Sequence, residues 1–118
     1  MKTTSDRLRG TLDALILKTL AAAGPLHGYG ISRWLRTRGT QALRVEEGTL
    51  YPALYRLERL GWIEADWGLS ELGRRARFYR LTPEGERQLE VEIRIFAEFL
   101  AAVAPILLPA QPVPHAAS

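Results

Sequence analysis

Apolar positions recur with helical spacing in four stretches of this chain, and two shorter stretches between the third and fourth have the composition of strands. In the first stretch, Leu8, Leu12, Leu15, Ile16 and Leu20 mark one face of a helix running to about Ala23. Ser5 or Asp6 can cap it, behind a polar arm from Met1 to Asp6 that is expected to fray. Leu17 adds a second apolar direction, so this helix should pack on two sides. Gly24-Pro25 ends it, and His27-Gly28-Tyr29-Gly30 turns the chain into a second helix, about Tyr29 to Arg38. Ile31 and Leu35 face inward there, with Trp34 beside them as a core or interface residue. His27 has no second His or Cys to share a metal and reads as a turn residue that hydrogen-bonds locally.

Residues 39–44 connect to the third stretch, where Leu50, Leu54 and Leu57 hold the i, i+4, i+7 spacing and Ala53 and Leu60 widen the stripe. At 100° per residue the opposite face collects Gly48, Pro52, Tyr55, Arg56 and Arg59, with Thr49 and Tyr51 on its flanks. A helix with a leucine face inside and an aromatic, cationic face outside suits insertion into a polyanionic groove. Arginine can fork onto guanine edges or phosphates, and Tyr and Thr can contact phosphates and thymine methyls. An ordinary solvated face would show much the same spacing, and Glu58 near the leucine side fits that reading. Pro52 removes one hydrogen bond and predicts a mild bend, and Gly61 supplies the stop.

Trp62 to Trp67 and Arg75 to Leu81 are the two extended runs, joined by residues 68–74 as a wide hairpin tip. Arg74, Arg75, Arg77 and Arg80 crowd the returning arm. Such a row can protect an edge strand from aggregation, or form a basic wing along a DNA backbone or minor groove. Thr82-Pro83-Glu84 then starts a long helix, expected to reach about Ala104 before Pro105 begins to break it. Leu89, Ile93, Phe96, Leu100, Val103 and Leu107 are spaced 4-3-4-3-4, the rhythm of a coiled-coil seam. A second row, Ile95, Phe99, Ala102 and Ile106, follows on another side. One row can cover the chain's own core; two rows imply a partner helix. The order helix, helix, helix, hairpin, long helix predicts a mainly α fold with a small β-hairpin, a winged helix-turn-helix plus a long C-terminal helix. Residues 1–82 would form the DNA-binding domain, 83–107 the dimerisation helix, and 108–118, with Pro109, Pro112 and Pro114, a disordered tail.

Charge sharpens this division. Residues 1–82 carry 14 Lys and Arg against 8 Asp and Glu, a net +6, while residues 83–118 carry 2 against 5, a net −3. The first two-thirds can face a polyanion and the last third should avoid one. The chain's 118 residues make one domain's worth of protein, and its composition is that of an ordinary soluble protein, cytoplasmic by default. No apolar run is long enough for a membrane span. There is no cysteine, which excludes disulfides, thiolate metal sites and cysteine catalysis. With two histidines, no phosphate-binding glycine loop and no nucleophile beside a base, neither an enzyme nor a cofactor or metal site is expected.

Four segments carry a family resemblance: Leu8-Arg9-Gly10-Thr11-Leu12-Asp13-Ala14-Leu15-Ile16-Leu17, Gly24-Pro25-Leu26-His27-Gly28-Tyr29, Glu47-Gly48-Thr49-Leu50-Tyr51-Pro52-Ala53-Leu54, and Arg74-Arg75-Ala76-Arg77-Phe78-Tyr79-Arg80-Leu81-Thr82. In this order they resemble PadR-family transcriptional regulators, in the short-chain branch with a single C-terminal helix. The resemblance implies a homodimeric bacterial repressor that leaves its operator, a dyad-symmetric DNA duplex, on binding a small effector. It places Thr49, Tyr51, Pro52 and Tyr55 on the recognition helix and Arg74, Arg75 and Arg77 on the wing. Some short-chain members hold flat aromatic ligands in a chamber between the two C-terminal helices, where Phe96 and Phe99 would stand in this chain. A winged-helix module that binds protein through the same surface, without DNA, is the competing expectation.

Overall fold

The computed structural model describes residues 4–40 and 43–108, with residues 4–9 as backbone only. The chain forms α1 (Thr4–Ala23), α2 (Gly28–Arg38), α3 (Glu47–Arg59), β1 (Ile63–Leu69), β2 (Arg75–Leu81) and α4 (Pro83–Leu107). The first three helices wrap one core. Ile16, Leu17 and Leu20 of α1 meet Ile31 and Leu35 of α2 and Leu50, Ala53, Leu54 and Leu57 of α3. Ile63, Tyr79 and Leu89 close it from the hairpin and α4. Fully burying an aliphatic side chain contributes about 1.5–3 kcal/mol, so this cluster fixes where α3 sits. Leu17, at 0 % exposure, fills the second apolar direction anticipated for α1.

The hairpin is antiparallel, with Ile63 opposite Leu81, Asp66 opposite Phe78 and Leu69 opposite Arg75. Its base is pinned to the α1–α2 turn by a two-residue bridge: the Leu26 amide donates to the Tyr79 carbonyl (3.1 Å), and the Tyr79 amide donates to the Leu26 carbonyl (2.8 Å). At the tip, the Ser70 hydroxyl accepts from the amides of Leu72 and Arg74, and Gly73 takes φ +76°. Gly61, at φ +80°, ends α3 and turns the chain into β1, a conformation costly for other residues.

The start of α4 is locked to that turn. The Thr82 hydroxyl caps α4 by accepting from the Gly85 amide (3.0 Å), while its proton lies between the carbonyls of Gly61 (2.8 Å) and Trp62 (3.0 Å). Pro83 stands in the first turn of α4, where its missing amide costs nothing. The helix then lies along α1, and the molecule reaches 63 Å in its longest dimension.

Several boundaries differ from the sequence reading. Ser5 and Asp6 lie inside α1, which begins at Thr4. Thr4, Ser5 and Asp6 are all good helix starters, and spacing does not choose among them. The rest of the expected arm, residues 1–3, lies outside the described residues. Strand β1 is shifted to Ile63–Leu69, since Gly68 and Leu69 stay paired with Ala76 and Arg75; a Cβ at Gly68 would sit tightly, 3.0 Å from the Phe78 ring. Helix α4 continues through Pro105 to Leu107. The proline loses a single bond and its φ is already helical, and the Leu108 amide closes the end on the Ala104 carbonyl (2.9 Å). Apart from Leu108, the proline-rich tail lies outside the described residues.

Candidate nucleic-acid interface

The outer face of α3 is built by what the inner face buries. With Leu50, Ala53, Leu54 and Leu57 in the core, Thr49, Tyr51, Pro52, Tyr55 and Arg59 are left exposed on one side. Tyr55 is 64 % exposed, and the Arg59 guanidinium lies 5.7 Å from its ring centroid. Tyr51 leans over the start of α2, where Gly28 makes room for its ring: a Cβ there would approach the phenol oxygen to 2.6 Å. Gly48, one turn earlier, has open space around it and leaves the helix backbone bare.

Arg56 does not join this face. It turns back across the helix and donates to Asp13 of α1, a carboxylate whose side chain is only 7 % exposed. In the free chain the residue expected to contact DNA is instead paired: Arg56 sits at the edge of the leucine stripe, and a buried acid 43 residues earlier takes its charge. Leu89 is corrected as a member of the dimer seam. At 7 % exposure it belongs to the chain's own core and leaves no surface for a partner.

The wing sorts its arginines. Arg74 is exposed at the tip, and Arg75 stacks 4.7 Å from the Trp67 ring centroid. Arg77 reaches across to Glu58 of α3 (2.7 Å) and lies near the rings of Trp67 and Tyr79, so it ties the wing to the helix. Arg80 faces away, held by Glu64 (2.8 Å) and Asp66; the Asp66 hydrogen bond raises its already high pKa. Arg74 and Arg75 thus remain the wing cations available to a ligand.

Between the wing and the α2–α3 pair runs an open groove of about 690 Å³, with Tyr29, Arg33 and Tyr51 on one wall and Trp67, Arg74 and Arg75 on the other. Its floor includes His27, which caps α2: Nδ1 accepts from the Gly30 amide (2.9 Å) and Nε2 stands 3.7 Å from Glu71 of the wing turn. The local hydrogen bond expected of His27 is present. Tyr79, at the edge of the groove, has its phenol pKa pushed above 10.0 by burial, with Arg77 opposing. Sequence reasoning missed Tyr29, Arg33 and Trp67 as lining residues. The available signal for Trp67 was its place opposite Arg77 in the hairpin register. Among the described residues no cluster of three or more His, Asp or Glu could hold a metal, and no helix is long and apolar enough to cross a membrane.

An exposed helix face and a basic hairpin flanking one aromatic, cationic groove define a winged helix-turn-helix of the DNA-binding kind. Residues 16–91 match the PadR-like transcriptional regulator family, and the chain belongs to that family, as a DNA-binding transcriptional regulator. It is 36% identical over 83 residues to a transcriptional regulator of Mycobacterium tuberculosis, covering 70% of this chain and 74% of the relative. Among solved structures, a transcriptional regulator from Clostridium thermocellum superimposes with a TM-score of 0.76 at 31% identity, over 86% of this chain and 98% of the other. A PadR-like regulator from Bacillus cereus gives 0.67 at 28% identity, over 86% and 96%.

Proposed function

We propose that the protein is a homodimeric repressor that binds a dyad-symmetric operator and is released from it by a small effector. The observation that supports its DNA-contact part is that Tyr51 of α3 lines one groove with Arg74 and Arg75 of the wing, while Thr49, Pro52, Tyr55 and Arg59 are exposed on the same helix. Thr49, Tyr51, Pro52, Tyr55 and Arg59 would enter the major groove, with the tyrosines and Thr49 near base edges and thymine methyls. Arg74 and Arg75 would grip the phosphates beside it, and Trp67 would pack on the sugar-phosphate strand between them. Arg77 would hold the wing at the angle this requires.

Pairing is assigned to α4 with support from α1. Ile93, Phe96 and Leu100 remain 46 %, 40 % and 45 % exposed in the single chain, while Ile95 and Phe99 of the other row are half-buried. Val103 is half-buried and can belong to either contact. A two-fold axis along the exposed row would set two α3 helices on one face of a duplex, in successive half-sites. Where the paired helices diverge, Phe96 and Phe99 would line a chamber for a planar aromatic compound touching both subunits. Such a ligand need prefer one dimer geometry by only about 100-fold to couple to DNA with about 3 kcal/mol. The protein would act in the cytoplasm, where its DNA lies.

The test is to recover genomic fragments retained by the purified protein, footprint them, and titrate planar aromatic compounds against the complex. A protected dyad, released by a compound in wild type and less readily in Phe96→Ala, supports the reading. Asymmetric or sequence-independent protection contradicts the operator. Equal release from both proteins puts the chamber elsewhere.

A further inference from the structure

Two carboxylates bury themselves against the same turn of α1. Glu92 of α4 is 3 % exposed and lies against Gly10, whose missing side chain makes the space for it; Gln88 donates to its other oxygen (3.0 Å). Three residues on, and so on the adjoining part of the same helix face, Asp13 is 5 % exposed and accepts from the Arg56 guanidinium of α3. The turn of α1 on which α4 rests is thus the turn to which the recognition helix is tethered.

Arg56 neighbours Tyr55 in a helix whose core-facing anchors are non-directional leucines, while the directional tie from Glu58 to Arg77 runs to the wing and not to α1. Apolar packing fixes the depth of a helix but resists small rotations about its axis weakly. A charge-assisted hydrogen bond to a fixed, buried acceptor adds direction. Drawing Arg56 away to a phosphate would cost the Asp13 carboxylate a charge-assisted hydrogen bond at a buried site. We propose that Arg56 is a positioning residue: with Asp13 it sets the rotation of α3 about its axis, and hence the angle at which Tyr51, Tyr55 and Arg59 meet the bases.

The proposal rests on the DNA-binding reading for its functional consequence and on the free protein for its structural one, so the experiment has two readouts. Asp13→Asn, Arg56→Gln and the double variant are compared with wild type by amide hydrogen exchange of α3 without DNA, and by the ratio of operator to random-duplex affinity across a salt series. Arg56→Lys, which retains the charge, serves as the conservative variant, and melting curves confirm that each protein is folded. The pair predicts faster α3 exchange and about a tenfold loss of operator preference in either single variant, with the double variant no worse, since both changes break one interaction. Non-specific binding should keep the wild-type salt slope, and Arg56→Lys should recover part of the preference. A salt slope lowered by about 0.9 per subunit in Arg56→Gln alone, with Asp13→Asn binding as well as or better than wild type, would make Arg56 a phosphate contact and overturn the proposal. Unchanged α3 exchange in both single variants would also overturn it, whatever the DNA result. Absence of operator binding by wild type would instead contradict the DNA reading, leaving the exchange experiment to decide the tether.

Discussion

Leu100→Asp should separate the proposed dimer without unfolding its subunits. Leu100 is 45 % exposed in the single chain, and its neighbours along the row, Ile93 and Phe96, are 46 % and 40 % exposed. Full burial of such a side chain is worth about 1.5–3 kcal/mol, so covering the remaining exposed part contributes about 0.6–1.3 kcal/mol for each. Three residues on each of two subunits then give a gross contribution of about 4–8 kcal/mol, before the cost of association. An aspartate in that seam loses the leucine terms and must shed several kcal/mol of carboxylate hydration on each side. That is enough to dissociate a dimer held mainly by this row. The isolated subunit loses little, because the aspartate can point into the water that half of Leu100 already meets. Light scattering at micromolar concentration should show a dimer for wild type and a monomer for the variant, with matching helical circular dichroism. A variant of wild-type mass would refute the seam. A variant that unfolds would refute the claim that Leu100 lies outside the chain's own core.

The junction between hairpin and α4 makes a sharp stability prediction: the Cβ added in Gly85→Ala would collide with the Trp62 carbonyl oxygen and come within 2.7 Å of the Leu81 side chain. Because the oxygen is backbone and part of the Thr82 cap, the expected loss is about 3 kcal/mol or more, read from the denaturant midpoint; a wild-type midpoint would contradict it. Tyr79 predicts an alkaline branch. Its folded pKa is raised by burial above 10.0, so below that pH both states keep the proton and stability is full, whereas above it the unfolded chain ionises first and stability falls until the folded phenol ionises too. Tyr79→Phe should remove that fall from a stability profile taken across pH 9–12, and an unaltered profile would assign it to another group.

How far the sequence reaches differs between elements for physical reasons. Leu50, Leu54 and Leu57 are periodic because they face one core, and Thr82-Pro83 marks a helix start because the cap lies within three residues of the amide it serves. Such local signals placed all four helices and the hairpin. The Arg56–Asp13 pair was out of reach because it is set by packing between helices far apart in sequence. The Leu26–Tyr79 bridge was out of reach for the same reason, and so were the walls of the groove, which come from α2 and the wing together. Leu89 shares the seam rhythm of Ile93, Phe96 and Leu100, yet the start of α4 is pressed into the core by the Thr82 junction while the later turns run free of it. Periodicity shows that a face is apolar; it does not say whose atoms cover it.

The central claim, that α3 and the wing grip one duplex together, is tested most directly by the salt dependence of DNA binding. Operator affinity is measured by fluorescence anisotropy across a salt series for wild type and for the Arg74→Ala/Arg75→Ala variant. Each phosphate contact contributes about 0.9 to the slope of log affinity against log salt, so the variant should bind operator and random duplex more weakly alike, with a slope shallower by up to about 1.8 per subunit. A variant whose affinity and slope match wild type would take the wing out of the interface and contradict the account.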